Sequence, residues 1–205
     1  MNEVATSRER VRRLLNSVGF KTTDWVRLVM YQRCFDFVRS LGPETLDVME
    51  ISAGPQWRRE FKFNSYTETQ FPDFDICSET LDKKFDLIIA DQVFEHLIWP
   101  YRAARNVHEM LKPGGVFIIA VPFMVRVHRV PTDCTRWTEQ GLSYFLQECG
   151  FAPEDIQTDS WGNRACVKGN LNSWKRFGFH RSLKNEPDYP VMVWAFARKK
   201  QDSAA

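Results

Sequence analysis

The sequence predicts an α/β fold, and three features of the stretch from Lys84 to Phe123 predict it. Phe85–Ala90 is a short, nearly continuous apolar run with charge on both sides, which is how a parallel strand buried on both faces reads. Tyr101, Ala104, Val107, His108 and Leu111 recur at the spacing of one helical face. Val116–Val121 is a second apolar run. It follows Lys112-Pro113-Gly114-Gly115, where a cation suits a helix C-terminus and Pro-Gly-Gly turns the chain. Strand, helix and strand within about forty residues make a right-handed βαβ crossover.

A chain of 205 residues can bury a sizeable core and is expected to form one domain. Its 28 basic and 26 acidic residues create no field that calls for nucleic acid as a partner. The 5 cysteines are scattered without CxxC or histidine spacing, so neither a disulfide framework nor a metal site is expected. They fit a reducing, cytoplasmic setting. The start, MNEVATSRERVRRLL, has no apolar targeting core, and no run approaches the roughly eighteen apolar residues of a membrane span. No membrane insertion is expected.

FDLIIADQVFEHL followed by LKPGGVFIIAVP resembles the fourth-strand-to-fifth-strand segment of class I S-adenosylmethionine (SAM) dependent methyltransferases. The resemblance extends over residues 44–198. It implies a Rossmann-like, seven-stranded, mostly parallel sheet with an antiparallel last strand and helices on both faces. It also implies SAM as cofactor and S-adenosylhomocysteine as product. Residues 1–43 would then form a helical cap over the cofactor and acceptor site, and residues 199–205 a disordered tail.

In chain order, residues 7–18 can form an amphipathic helix, with Ser7 as N-cap and Val11, Leu14, Leu15 and Val18 on one face. A second helix runs from Asp24 to Leu41, stopped by Gly42-Pro43. Thr45–Ile51 is the first strand. Ser52, Ala53 and Gly54 after it allow the sharp turn that brings backbone close to a ligand. By the resemblance, Glu50 lies near the methionine amino group of the cofactor. One glycine stands where the family usually has two or three. Ser65–Gln70 is the second strand, and Gln70 occupies the place of the family's ribose-binding acid. Asp75-Ile76-Cys77 matches the segment lining the adenine, with Asp75 accepting from its amine. Asp91, Gln92 and Val93 fall at the carboxyl edge of the sheet beside the cofactor. Glu95-His96 would brace the glycine-rich loop, which places His96 with the cofactor residues.

The stretch from Pro122 to Trp137 is too polar and proline-marked for a core. Similar HxxPxDxxRWTxxGL connections face the acceptor in family members acting on small molecules and glycans. His128 is the candidate general base, because imidazole titrates near working pH. Arg126, Arg129 and Arg136 could hold an anionic acceptor through bidentate contacts. Asp133 would orient His128 or pair with Arg136, giving a catalytic set of His128, Asp133 and Arg136. Trp99, Trp137, Trp161 and Arg164 complete the expected acceptor site. A helix from Thr138 is ended by Gly150, Glu154–Ser160 is the sixth strand, and Pro190–Ala197 the last.

The expected activity is SAM-dependent O-methylation of a carboxylate or hydroxyl on a peptide, natural product or other small molecule, with a sugar hydroxyl close behind. A nicotinamide dehydrogenase would need GxGxxG where EISAGPQW stands. A base-flipping methyltransferase would need Asn/Asp-Pro-Pro-aromatic where Asp91-Gln92-Val93-Phe94 stands. A non-catalytic partner module of the same fold draws its support from the single glycine and Gln70.

Overall fold

The structure, a computed structural model, describes residues 23–178 and 180–201. The helix expected over residues 7–18 lies outside the described residues. So does the chain after Gln201.

Among the described residues six strands form one sheet: β1 (Asp47–Ile51), β2 (Ser65–Thr69), β3 (Phe85–Asp91), β4 (Leu111–Pro122), β5 (Ile156–Trp161) and β6 (Met192–Arg198). Their order is β2-β1-β3-β4-β6-β5. β1 pairs in parallel with β2 and β3, and β3 with β4, while β6 runs antiparallel to both β4 and β5. The last strand is therefore the antiparallel one, as expected. The count of six corrects the expected seven. In place of a further strand, the segment between β2 and β3 is folded into turns. The Asp75 carbonyl accepts the backbone N–H of Ser78 and Glu79, and Asp75 Oδ1 accepts that of Cys77 at 2.9 Å. Those local bonds use the groups a strand would have paired.

Among the described residues five α-helices cover the two faces: α1 (Leu28–Ser40), α2 (Pro55–Glu60), α3 (Pro100–Met110), α4 (Glu139–Glu148) and α5 (Arg164–Asn170). Successive residues of β3 point to opposite cores. Ile88 and Ala90 pack with Ala104, Val107 and Phe145 on the α3 and α4 side. Leu87 and Ile89 pack with Met30, Cys34 and Cys166 on the α1 and α5 side. A strand buried on both faces needs apolar side chains on both, which is why Leu87–Ala90 does not alternate, whereas half-buried Asp86 near the strand's start pairs with Lys112. Side chains of α3 are rotated from the expected face: Ala103 and Met110 are fully buried, whereas Tyr101 is exposed and His108 half-buried. Pro113-Gly114-Gly115 does not leave the sheet but forms an irregularity within β4, between the Phe85–Leu111 and Leu87–Val116 pairs. Thr138 caps α4 by accepting from the N–H of Gly141 at 3.1 Å. Lys199, expected to begin a loose tail, is instead bonded through Nζ to the carbonyls of His108 and Leu111. Among the described residues no helix is long and apolar enough to cross a membrane.

Candidate active site

Strand order reverses between β1 and β3, and in open α/β sheets ligands bind beyond the carboxyl ends of the strands at such a point. Both loops flanking this crevice begin with a non-glycine residue in the left-handed region, Ser52 at φ 53° and Gln92 at φ 60°. Such backbone persists only where the surroundings hold it. The N–H of Ala53 is held by the Thr69 carbonyl, and the Ala53 carbonyl accepts from Gln70 Nε2 at 2.7 Å. Gln92 is held on the other side, its backbone N–H and its side-chain amide both donating to the carbonyl of Ala120. The sharp turn after β1 thus falls on Ser52. Gly54, at φ −109°, opens α2 in ordinary extended backbone.

Glu50 is buried and turned towards its own loop, accepting from the Gly54 N–H at 2.9 Å and from the Tyr66 hydroxyl. Burial raises its pKa despite those bonds. The acidic oxygen left without a partner at this edge belongs to Asp91 instead. Its Oδ2 accepts from Tyr31 at 2.8 Å and from Trp57 Nε1 at 3.3 Å, while Oδ1 is buried and unbonded. Burial raises the Asp91 pKa, opposed by the nearby Arg27 cation. Val93 is buried beneath the loop. Ile76 is a core residue whose carbonyl accepts from Asn106 Nδ2 at 2.8 Å.

On the other side of β3 lies a cleft of about 350 Å³, including its open mouth, lined by Asp24, Arg27, Gln92, Pro122, His128 and Trp174. Tertiary contacts build its outer wall. The N–H of Trp25 donates to the Lys175 carbonyl and that of Phe177 to the Thr23 carbonyl, so the chain before α1 pairs with the connection between α5 and β6. Trp174 meets the His128 ring edge-on at 5.9 Å, and Arg126 stacks over Trp174 at 4.9 Å.

The loop after β4 is pinned internally. Asp133 forms a two-pronged ion pair with Arg136, with Nη2 to Oδ2 at 2.7 Å, and accepts the backbone N–H of His128 at 2.8 Å. Burial works against the Asp133 anion, but Arg136 and His128 outweigh it and hold the carboxyl below its usual range. His128 Nδ1 lies 3.5 Å from Asp133 Oδ2. Burial lowers the His128 pKa, Asp133 partly restores it, and neighbouring His96 lowers it further. The catalytic set expected from sequence is therefore assembled in space, with Arg136 committed to Asp133.

Other expected acceptor residues are placed differently. Trp137 and Trp161 correct the expectation, because both are buried in the core. Trp137 packs on Phe145 at 5.1 Å, and Trp161 Nε1 donates to the Leu183 carbonyl at 3.0 Å. Arg164 pairs with Glu186 at 3.0 Å, Trp99 is exposed beneath the Arg102 guanidinium, and Arg129 is exposed. None of these three lines the cleft. The guanidinium that does is Arg27. Burial disfavours its charge, yet Asp91 and Tyr31 beside it raise its pKa overall. A single arginine at a helix start carries no sequence signal that would single it out.

The Glu95-His96 pair also departs from expectation. Its contacts run to the loop after β4 rather than to the turn after β1. The Glu95 carbonyl accepts from Cys134 N at 2.7 Å, and the His96 carbonyl from Thr132 Oγ1 at 2.6 Å. His96 Nδ1 donates to the Thr132 carbonyl. The Glu95 side chain has no exposed surface, neither carboxyl oxygen has a hydrogen-bond partner, and burial pushes its pKa up to about 8.

A family model described as a methyltransferase domain matches residues 35–117. No curated protein matches the sequence. Among solved structures, an S-adenosylmethionine-dependent methyltransferase from Mesorhizobium loti aligns at 17% identity and TM-score 0.51, covering 80% of this chain and 97% of that one. The chain has the class I SAM-dependent methyltransferase fold. The same fold likeness extends to the [4+2]-cyclase SpnF, at 16% identity and TM-score 0.56 over 98% of each chain. It extends also to a phosphoethanolamine N-methyltransferase of Haemonchus contortus in complex with phosphomonomethylethanolamine and S-adenosylhomocysteine. That alignment has 13% identity and TM-score 0.54, covering 98% of this chain and 62% of that one. The Mesorhizobium loti protein is SAM-dependent and the Haemonchus contortus one holds S-adenosylhomocysteine, and the residues at this chain's switch point suit such a ligand. Ser52, Ala53 and Gly54 present small side chains, and the unpartnered Asp91 Oδ1 is complementary to an ammonium group.

Proposed function

We propose that the protein is a SAM-dependent methyltransferase acting on an oxygen of a small-molecule or peptide acceptor, a carboxylate in the first place. The observation that carries this reading is the cleft in which Arg27 and His128 face one space next to the Asp91 edge. Glu50, Ser52–Gly54, Gln70, Asp75 and Asp91 to Val93 would hold the cofactor. Bound SAM supplies a methyl group on a sulfonium, open to in-line displacement with no covalent enzyme intermediate.

Much of the rate must then come from alignment of the acceptor. A carboxylate is already ionised, so the chain has to position it and exclude water. The Arg27 fork is suited to two-pronged carboxylate contact, and Trp174 covers the approach. A second reading, transfer to a hydroxyl such as that of a sugar, is favoured by His128. Its lowered pKa leaves the ring neutral and able to accept a proton, and Asp133 stands 3.5 Å behind it. In either case Asp133 and Arg136 shape the loop, and residues 23–43 cap the acceptor side. The free thiols, four of them wholly or partly buried, suit a reducing cytosol.

Calorimetric titration with SAM and S-adenosylhomocysteine tests the first half. Micromolar binding by the wild type, lost in Gly54→Arg and weakened in Asp75→Ala, is the expected result. Methyl transfer to carboxylate and hydroxyl acceptors tests the second. Arg27→Met should abolish carboxylate methylation, and His128→Ala hydroxyl methylation, with SAM binding retained. Folded protein that binds neither nucleoside, with acceptors present, would overturn the enzyme reading in favour of a partner module.

A further inference from the structure

We propose that Glu95, His96 and His128 form a binding site for one divalent transition-metal ion, of which zinc is the best match. The three residues come from separate places. Glu95 and His96 belong to the 3-10 turn Phe94–His96 after β3, and His128 to the loop after β4. One ligand atom from each lies within 4.8 Å of the other two. Nε2 of His96 stands 3.6 Å from Glu95 Oε1, and Nε2 of His128 stands 4.0 Å from the same oxygen. Those separations are too long for hydrogen bonds. Nitrogen and oxygen ligands at about 2.0–2.2 Å around one tetrahedral ion sit about 3.4 Å apart, so a modest contraction closes the set.

Two further observations point to a cation. The Glu95 carboxylate is fully buried, and neither oxygen has a hydrogen-bond partner. An isolated buried carboxylate is costly, and a protein neutralises it with a proton or a cation. The far nitrogen of His96 is also engaged in the way that orients a metal-binding histidine, donating from Nδ1 to the Thr132 carbonyl. Nδ1 of His128 makes no hydrogen bond but lies 3.5 Å from Oδ2 of Asp133, which Arg136 holds. Both Nε2 atoms lie on the Glu95 side, at 3.6 and 4.0 Å from Oε1. The rings stand nearly perpendicular, at 86°, with centroids 5.0 Å apart, so they are not stacked on one another. Two imidazoles and one carboxylate favour zinc and its neighbours over magnesium or calcium, which take mainly oxygen ligands.

An ion here ties the loop after β4 to the end of β3. Three protein ligands leave a position open, and His128 also lines the acceptor cleft. Any role of that position in holding an acceptor oxygen rests on the methyltransferase reading; binding of the ion does not.

The test uses the full chain, stripped with a chelator and titrated with Co²⁺ as a spectroscopic probe. The expected result is one Co²⁺ per chain with visible absorption bands, displaced by Zn²⁺. Glu95→Gln and His128→Gln should each weaken binding at least about tenfold, and Asp133→Asn by about 10–100-fold at unchanged stoichiometry. Wild-type protein that takes up no more Co²⁺ than the Glu95→Gln/His128→Gln double variant overturns the proposal. Circular dichroism of the same samples separates lost ligands from lost folding. Should the variants unfold, the stoichiometry and the histidine-type Co²⁺ spectrum of the wild type decide. SAM titration runs alongside: metal binding without SAM binding removes the methyltransferase reading alone, and SAM binding without metal removes this proposal alone.

Discussion

The hydroxyl of Tyr31, on α1, donates to Oδ2 of Asp91 at the end of β3, at 2.8 Å. The bond joins the helix that follows Asp24, Val26 and Arg27 of the cleft wall to the strand end at the switch point of the sheet. Burial, together with the neighbouring Asp91 carboxyl, raises the Tyr31 pKa, so the phenol stays a donor throughout the physiological range. Tyr31→Phe leaves the carboxylate with only the longer bond from Trp57 Nε1, at 3.3 Å. We expect a loss of about 1–3 kcal/mol in urea unfolding, the usual consequence of stripping a partner from a buried polar group. Unchanged stability would mean that the bond does not hold the cap.

The turn after β1 makes a prediction that runs against the usual ranking of glycines. Ser52, not Gly54, occupies the left-handed region. A Cβ built on Gly54 meets nothing closer than Glu50 Oε1, at 4.0 Å. Ser52→Val places a β-branched residue at φ 53° and should cost about 1–3 kcal/mol, with SAM affinity falling as the turn distorts. Ser52→Gly and Gly54→Ala should remain near wild type in thermal melts. A Gly54→Ala variant worse than Ser52→Val would contradict this geometry.

Arg136 acts on the acceptor loop through Asp133. Arg136→Lys keeps a charge but cannot form the two-pronged pair. With Asp133 free to turn, the His128 backbone loses its anchor. Acceptor kcat/KM should fall about 100-fold, the scale of an ångström-sized misplacement, while the Kd for SAM stays unchanged. A parallel loss of SAM affinity would show that the loop supports the cofactor as well.

At the opposite end of the sheet, Lys112 Nζ bridges Asp47 at 3.0 Å and Asp86 at 2.8 Å. Hydrogen bonds from Ser65, Lys112 and Asn64 hold the Asp47 carboxyl far below its usual range. A carboxylate whose folded pKa is depressed adds stability that is present above its unfolded pKa and lost as pH falls towards the folded one. The thermal midpoint should therefore decline below about pH 5. Asp47→Asn should flatten that acid limb and leave the midpoint at pH 8 closer to wild type than Lys112→Met does.

Much of the sheet was legible in the sequence, because burial on both faces writes itself as unbroken apolar runs. Leu87–Ala90 and Val116–Val121 are such runs, and α4 announces its start through the Thr138 cap. The positions of Gln70, Gln92 and the His128–Asp133–Arg136 loop followed from their places at strand ends. The aromatic and basic residues were not legible individually. Trp137 and Trp161 serve the core and Trp174 the cleft, although all three stand in similarly polar surroundings in the sequence.

Local periodicity and strand ends were enough for the α/β class and the parallel strand–helix–strand unit, while the antiparallel last strand was implied by the resemblance to class I methyltransferases. Only the tertiary structure decided that Arg27 rather than Arg126, Arg129 or Arg136 faces the cleft, and that Glu95 and His96 meet His128 rather than the turn after β1. Those contacts join residues far apart in sequence through loop packing. Side-chain direction there is set by which neighbour completes a buried polar group, and no local pattern encodes that choice.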